Sequence, residues 1–175
     1  VNDKPARRGM EVKPGDVITT GRNAELVVVV GRDAFMVREQ SRIELNGDAT
    51  RLLLAGLRAV TGGLLSVFEP GKEKKIQTPT ATIGIRGTAL YIEIDAARTY
   101  ACTCYGEAEL ASVDDPAASE TVRTRHHDEP RYIYRRGMPR MIEQAPVINH
   151  TDAELILLEG LVGRAVPFAY SYTPY

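Results

Sequence analysis

The chain has 175 residues, 43% of them hydrophobic, and at that size one domain with an appendage can bury a core without disulfide or metal staples. The 22 basic and 23 acidic residues leave a net charge of −1, which removes any overall electrostatic case for nucleic acid or an anionic membrane surface as partner. No apolar run approaches the roughly 20 residues that a membrane-spanning helix needs, and the 2 cysteines make no disulfide framework.

Residues 1–9 are charged and proline-containing with little to bury, and read as a loose leader. They show no apolar signal core, so an export signal is expected to have been removed already. Beyond Val12, short β-like runs recur at 16–20, 25–30, 34–38, 42–45, 51–54, 57–60 and 64–68. Their separators are Gly21-Arg22-Asn23, Gly31-Arg32-Asp33, Asn46-Gly47-Asp48 and Gly62-Gly63, all with turn chemistry. A spacing of about ten residues predicts an all-β sandwich, barrel or coil. The run 26–30 lacks alternation and is expected to be a core strand covered on both faces. Residues 51–57 also fit a short amphipathic helix, but Gly56, Gly62 and Gly63 favour strands and turns. The charged run 69–75 reads as a solvated loop.

Residues 76–94, IQTPTATIGIRGTALYIEI, are the most informative stretch. Thr82, Gly84 and Arg86 alternate with Ile83 and Ile85, which makes a strand with two different faces. Pro79 lacks a backbone donor and belongs at the start of that strand. Gly84 and Gly87 bracket Arg86, and the chain is expected to turn a corner at Gly87.

Thr78-Pro79-Thr80-Ala81 followed by Gly84-Ile85-Arg86-Gly87-Thr88 and Tyr91 resembles the central motif of the FecR-domain family, the periplasmic part of iron-dicitrate-type signalling proteins. Upstream, Gly15-Asp16-Val17-Ile18-Thr19-Thr20-Gly21 resembles the family's opening turn and strand. Downstream, Tyr105-Gly106-Glu107-Ala108 resembles the glycine turn after its last core strands. The resemblance spans roughly residues 10–113 and implies a periplasmic location, a β-solenoid or rolled sheet, and a signalling role without chemistry. In that family a sigma-factor-binding segment and one membrane span precede this domain, and a transporter-engaging domain follows. None of these is evident here, so regulation of a sigma factor does not transfer with the resemblance.

Further β segments follow at 88–94, 99–105 and 107–112, with a surface loop at 113–119 and a returning strand at 121–125. Residues 126–149 turn polar and aromatic and read as an extended arm packed on the β unit. Thr151-Asp152-Ala153-Glu154 has the spacing of a capping box, and Gly163 is a C-terminal stop, so one helix is expected over 152–162. Leu155, Ile156, Leu157, Leu158, Leu161 and Val162 make it apolar nearly all round, hence buried in its own chain or against a second copy. The aromatic tail 168–175 reads as a docking strand or a free end. The expected fold is therefore all-β, a small β-solenoid or rolled β-sandwich of short strands, followed by an extended arm and one C-terminal α-helix. Its parts are a leader at 1–9, a FecR-like β domain at 10–125, and an arm, helix and tail at 126–175.

No nucleophile elbow, metalloprotease helix, calcium loop or phosphate-cradling loop occurs, and no catalytic residue is expected. Asn149-His150-Thr151 is a glycosylation sequon on paper, but capping accounts for Thr151 better. The arginines between Arg123 and Arg140, interleaved with Tyr132 and Tyr134, read as a salt-bridged solvated face ahead of a polyanion site. Arg86, Tyr132 and Tyr134 are the binding candidates, with Arg86 placed to hold a carboxylate bidentately, but its reading as a structural arginine tying down neighbouring carbonyls ranks ahead of that. Cys102 and Cys104 share one strand face with Tyr100, too far apart for a disulfide, and are expected to be free thiols of the core. A soft-metal site with His126, His127 or His150 is the sharper alternative, but nothing in the sequence brings those histidines to the strand, so no metal and no cofactor is expected. A catalytic thiol ranks third. By analogy the partner is an envelope protein or glycan-like ligand, with the C-terminal helix as a candidate homo-oligomer contact. The expected function is a non-catalytic periplasmic binding module in envelope sensing or regulation. A structural envelope-assembly protein is the alternative, with a metal- or thiol-dependent enzyme behind it.

Overall fold

The computed structural model describes residues 1–168 except 52 and 139, with Thr88 described by its backbone alone. The tail from 169 onward lies outside the described residues. Eleven strands precede one helix: β1 (Val17–Thr19), β2 (Leu26–Val30), β3 (Asp33–Val37), β4 (Arg42–Asp48), β5 (Leu53–Val67), β6 (Glu73–Gln77), β7 (Ala81–Ile94), β8 (Arg98–Ser112), β9 (Ser119–Thr124), β10 (Arg131–Tyr134), β11 (Ile142–Gln144) and α1 (Asp152–Leu161). All belong to one sheet, and every pairing is antiparallel except β5 with β6. Stacked parallel rungs are what a solenoid requires, so of the two expected architectures the rolled sheet is the one adopted.

Three long strands roll it. The first half of β7 pairs with β6, Gln77 opposite Thr82, whereas its second half pairs with β5, Val67 opposite Ala89. The change of partner coincides with a register shift against β8 between Arg86 and Ala89. Gly87 sits there at φ +56°, where a Cβ would meet Pro70 Cα at 2.7 Å. The expected corner at Gly87 is thus a bulge inside one continuous strand. Gly62-Gly63 and Asn46-Gly47-Asp48, expected as turns, likewise lie within β5 and β4. A turn does form at Gly31-Arg32, as a two-residue hairpin closed by Val30 opposite Asp33, so the expected separator Gly31-Arg32-Asp33 is one residue shorter.

Side chains alternate between two cores. Ile18, Phe35, Leu64, Ile83, Leu90, Ile92 and Leu110 fill the inside of the roll. On its outer face Met36, Leu65, Val67, Tyr91, Tyr100, Cys102 and Cys104 meet Leu155 and Leu158 of α1. The segments buried on both faces therefore include β3, the end of β5, residues 89–92 of β7 and residues 99–105 of β8. β2, expected in that role, is covered on one face only, with Val28 and Val30 buried and Val27 and Val29 exposed. Residues 73–75, expected in a solvated loop, belong to β6, and Lys74 is buried against Asp33. The expected loose leader is tied down at its start: Asn2 N donates to Val17 O at 2.8 Å, and Val1 is buried.

The capping box of α1 forms as its spacing predicts, with Thr151 and Glu154 exchanging hydrogen bonds and Gly163 following at φ +71°. The helix is not buried all round. Leu155, Leu158 and Glu159 face the sheet, while Ile156, Leu157 and Leu161 are exposed. No helix among the described residues is long and apolar enough to cross a membrane.

Candidate functional site

The outer face of β7 and β8, where the C-terminal segment folds back, gathers most of the reactive side chains. β10 pairs with the first half of β8, placing Tyr132 opposite Tyr100 and Tyr134 opposite Arg98. The strand period then puts both β10 tyrosines on one side. The Arg98 guanidinium lies 3.9 Å from the Tyr132 ring centroid and 6.0 Å from that of Tyr134, a cation–π arrangement. Tyr132 and Arg98 form one wall of a groove of about 510 Å³ whose floor includes Arg38, Gly63, Tyr91 and Glu93. Gly63 is needed there, since a Cβ would meet Arg38 Cγ at 2.9 Å. Arg38 bridges Glu25 at 2.6 Å and Glu154 of α1 at 2.7 Å. Burial alone would lower the Arg38 pKa, but its hydrogen bonds to Glu154 and Glu25 raise it above the ordinary value. Burial, with the hydrogen bond to Glu93, pushes the Tyr91 phenol up. Glu93 Oε1 also accepts from Asn149 Nδ2 at 2.7 Å. The groove therefore offers paired charges and one aromatic wall, a surface for recognition with no nucleophile in it.

The expected binding residues separate. Tyr132 and Tyr134 come together with Arg98, whereas Arg86 lies on the β6–β7 surface, exposed and paired with Glu73 at 2.7 Å. It holds no neighbouring carbonyl in the described contacts, contrary to the structural reading of its sequence. The basic stretch is ion-paired at two of its arginines, Arg123 to Glu107 at 2.6 Å and Arg131 to Glu120 and Glu129 at 2.6 and 2.7 Å.

Beneath the arm, Cys102 and Cys104 are free and fully buried, as expected of core thiols. The histidines are not remote, which overturns the argument from sequence against a metal-binding set. Cys102 Sγ, Cys104 Sγ and one ring nitrogen each of His127 and His150 lie within 4.8 Å of one another. Cys102 Sγ is 3.6 Å from His127 Nδ1, which is 2.9 Å from His150 Nε2. The turn after β9 brings His127 in, its backbone N–H donating to Cys104 O at 2.9 Å and its φ at +52°, a conformation that histidine tolerates better than most residues. His150 is delivered by the link into α1 and stacks on Tyr91 with ring centroids 4.6 Å apart. A hydrogen bond from Cys104, opposed by burial and reinforced by His127 and His150, draws the Cys102 thiol down to about 4. Burial pushes Cys104 up. The two thiols are pushed in opposite directions because the His127 ring lies beside Cys102.

Cys102, His127 and Asp152 also line up in series, His127 Nε2 lying 3.1 Å from Asp152 Oδ1, which is the order of a nucleophile, a base and its orienting carboxylate. Cys102 is 0% exposed, however, and neither it nor Cys104 lines any of the described cavities.

The architecture is shared with solved structures of another protein. Two crystal structures of a candidate anti-sigma factor from Parabacteroides distasonis superpose on the chain with a TM-score of 0.59 at 11% identity, covering 83% of this chain and 65% of that one. At that identity the likeness is one of fold, and the present chain spans about two thirds of its neighbour's length. No protein-family model matches the sequence, and neither does any curated protein.

Proposed function

We propose that the chain is a non-catalytic, FecR-like binding module of a cell-envelope signalling system, working in the periplasm and recognising an envelope protein or glycan-like ligand. The observation that carries this reading is the rolled sheet shared with the candidate anti-sigma factor, joined to the Thr78–Tyr91 motif that lies at its bulge. The groove walled by Tyr132 and Arg98 is the recognition surface, since a rigid sheet presenting an aromatic face and paired charges suits a sugar ring or a peptide.

The test is a deletion in the native host, followed by transcript profiling. A confined set of transcripts is expected to shift, and to return with the wild-type chain but not with a Tyr132→Ala/Arg98→Ala variant that retains the wild-type melting temperature. An unchanged transcript profile together with an altered envelope would favour the structural-assembly reading instead. Fusion of the complete gene to a reporter active only after export checks the location.

A further inference from the structure

We propose that Cys102 Sγ, Cys104 Sγ, His127 Nδ1 and His150 Nε2 are the four ligands of a structural Zn²⁺ site that fastens the C-terminal segment to β8. This goes beyond the signalling reading and stands without it.

The hydrogen bonds around the two imidazoles decide which nitrogens are free. His127 Nε2 faces Asp152 Oδ1 at 3.1 Å, and His150 Nδ1 faces Ile148 O at 2.6 Å. A carboxylate and a carbonyl accept only, so each of those nitrogens carries the hydrogen. The remaining nitrogens, His127 Nδ1 and His150 Nε2, then present lone pairs to each other across 2.9 Å, with Cys102 Sγ at 3.6 Å from the first. Facing lone pairs in a buried site are resolved by a proton on His127 or by a metal ion, and the two sulfurs at the same point complete a donor set for the metal. An apolar core gives no reason for two rings to turn their acceptors toward two sulfurs.

Size and charge select the ion. With Zn–S near 2.3 Å and Zn–N near 2.05 Å, a tetrahedron has S···N edges of about 3.6 Å and N···N edges of about 3.3 Å. The observed 3.6 Å fits, and the 2.9 Å contact has to open by a few tenths of an ångström. Two thiolates neutralise one divalent ion, so the buried centre carries no net charge, in contrast to a buried imidazolium. A mixed sulfur and nitrogen set in tetrahedral array is the donor pattern of zinc. Asp152 supplies the orienting carboxylate behind His127, the usual outer partner of a metal-binding histidine. With Cys104 and His150 at 0% and 8% exposure, no position is open to substrate, which marks a structural centre.

The ligands come from three places: β8, the turn at 126–128 and the residue preceding the helix cap. Loading therefore ties the arm and α1 to the sheet.

The full chain, purified without chelator, is expected to contain one zinc per chain by plasma mass spectrometry. After stripping, it should take up one Co²⁺ with the visible bands and near-ultraviolet charge transfer of tetrahedral thiolate coordination. His150→Ala is expected to lose at least tenfold in Zn²⁺ affinity. Asp152→Asn, which leaves all four ligands in place, should weaken it by about 10- to 100-fold with an unchanged circular dichroism spectrum. Zinc should also raise the melting temperature of the stripped wild-type chain and slow proteolysis between 126 and 162. A folded wild-type chain that takes up neither Zn²⁺ nor Co²⁺ at micromolar concentration would overturn the site. So would undiminished zinc in the His150→Ala variant.

Discussion

Lys74 and Asp33 form a buried ion pair, 5% and 2% exposed, joined at 2.8 Å. The Lys74 ammonium also donates to Leu54 O at 2.5 Å, and Asp33 Oδ1 accepts from Glu69 N at 2.7 Å. At 2.8 Å and an effective dielectric near 20, the gross attraction is about 6 kcal/mol, most of it offset by desolvation of both ions. Lys74→Met removes one partner and strands a carboxylate that keeps a single backbone donor, so the expected loss is about 3–5 kcal/mol. For a domain of this length that is a fall in melting temperature of roughly 10 °C. Asp33→Asn/Lys74→Met removes both charges while an amide oxygen still accepts from Glu69 N, and should recover to within about 2 kcal/mol of wild type. Urea denaturation at neutral pH, followed by tyrosine fluorescence since the chain has 8 Tyr and no Trp, gives both values. If Lys74→Met costs less than about 1 kcal/mol, or if the double variant is as unstable as the sum of the singles, the pair is not the buried, mutually dependent unit described.

Glu120 is held below the usual carboxylate range by its hydrogen bonds to Arg131. A depressed folded pKa gives stability that is complete above the unfolded value near 4.3 and lost as pH falls through the folded one. Glu120→Gln should therefore cost about 1 kcal/mol at neutral pH, discounted because the carboxylate is partly exposed, with the difference vanishing in acid. A difference that does not change with pH would remove this linkage. Leu158→Asp, at a fully buried helix position, should cost on the order of 4 kcal/mol; a variant that melts with wild type would show the helix to be undocked. Arg86→Ala should change stability by less than about 1 kcal/mol, since its pair with Glu73 is exposed. Gly87→Val should instead unfold or strongly destabilise the domain, and the reverse order of these two would return the motif to the arginine. If the exposed Ile156, Leu157 and Leu161 join two copies, sedimentation should show a concentration-dependent dimer that Leu157→Lys abolishes.

What the sequence made legible was local. The capping box needs only Thr151 and Glu154 three residues apart, and the hairpin at Gly31-Arg32 only its own φ preferences, so both were readable without the fold. The long strands were not, because a glycine at positive φ serves a turn and a bulge equally well. Gly62, Gly87 and Gly106 all have positive φ inside strands, and only the pairing partners on either side decide that the chain runs on. Lys74 shows the same limit with charge: a lysine among Glu73 and Lys75 reads as solvated until Asp33, 41 residues earlier, is seen to meet it. The candidate metal set depends on separations of 25 and 23 residues between Cys102 and His127 and between His127 and His150. Sequence spacing constrains such separations hardly at all. The signal that was present is the CxC on one strand face, together with a chain that places all 3 of its histidines within the C-terminal segment.

That segment is fastened in a way that favours geometry over buried area. α1 contributes only Leu155 and Leu158 as buried apolar side chains, too little to hold a ten-residue helix by the hydrophobic effect alone, at about 25 cal/mol per Å². Directional contacts make up the rest. Arg38 reaches Glu154 at 2.7 Å, and Asn149 reaches Glu93 at 2.7 Å. Glu159, buried at the helix end, accepts from Tyr105 and pairs with Arg164. Each of these bonds is satisfied in one docked position and lost together if the helix slides, which makes docking specific and steep. A tetrahedral ion between β8, the turn at 126–128 and His150 would act on the same element. The groove wall at Asn149 and the ion-binding residue His150 are consecutive in the chain, so whatever moves one moves the other.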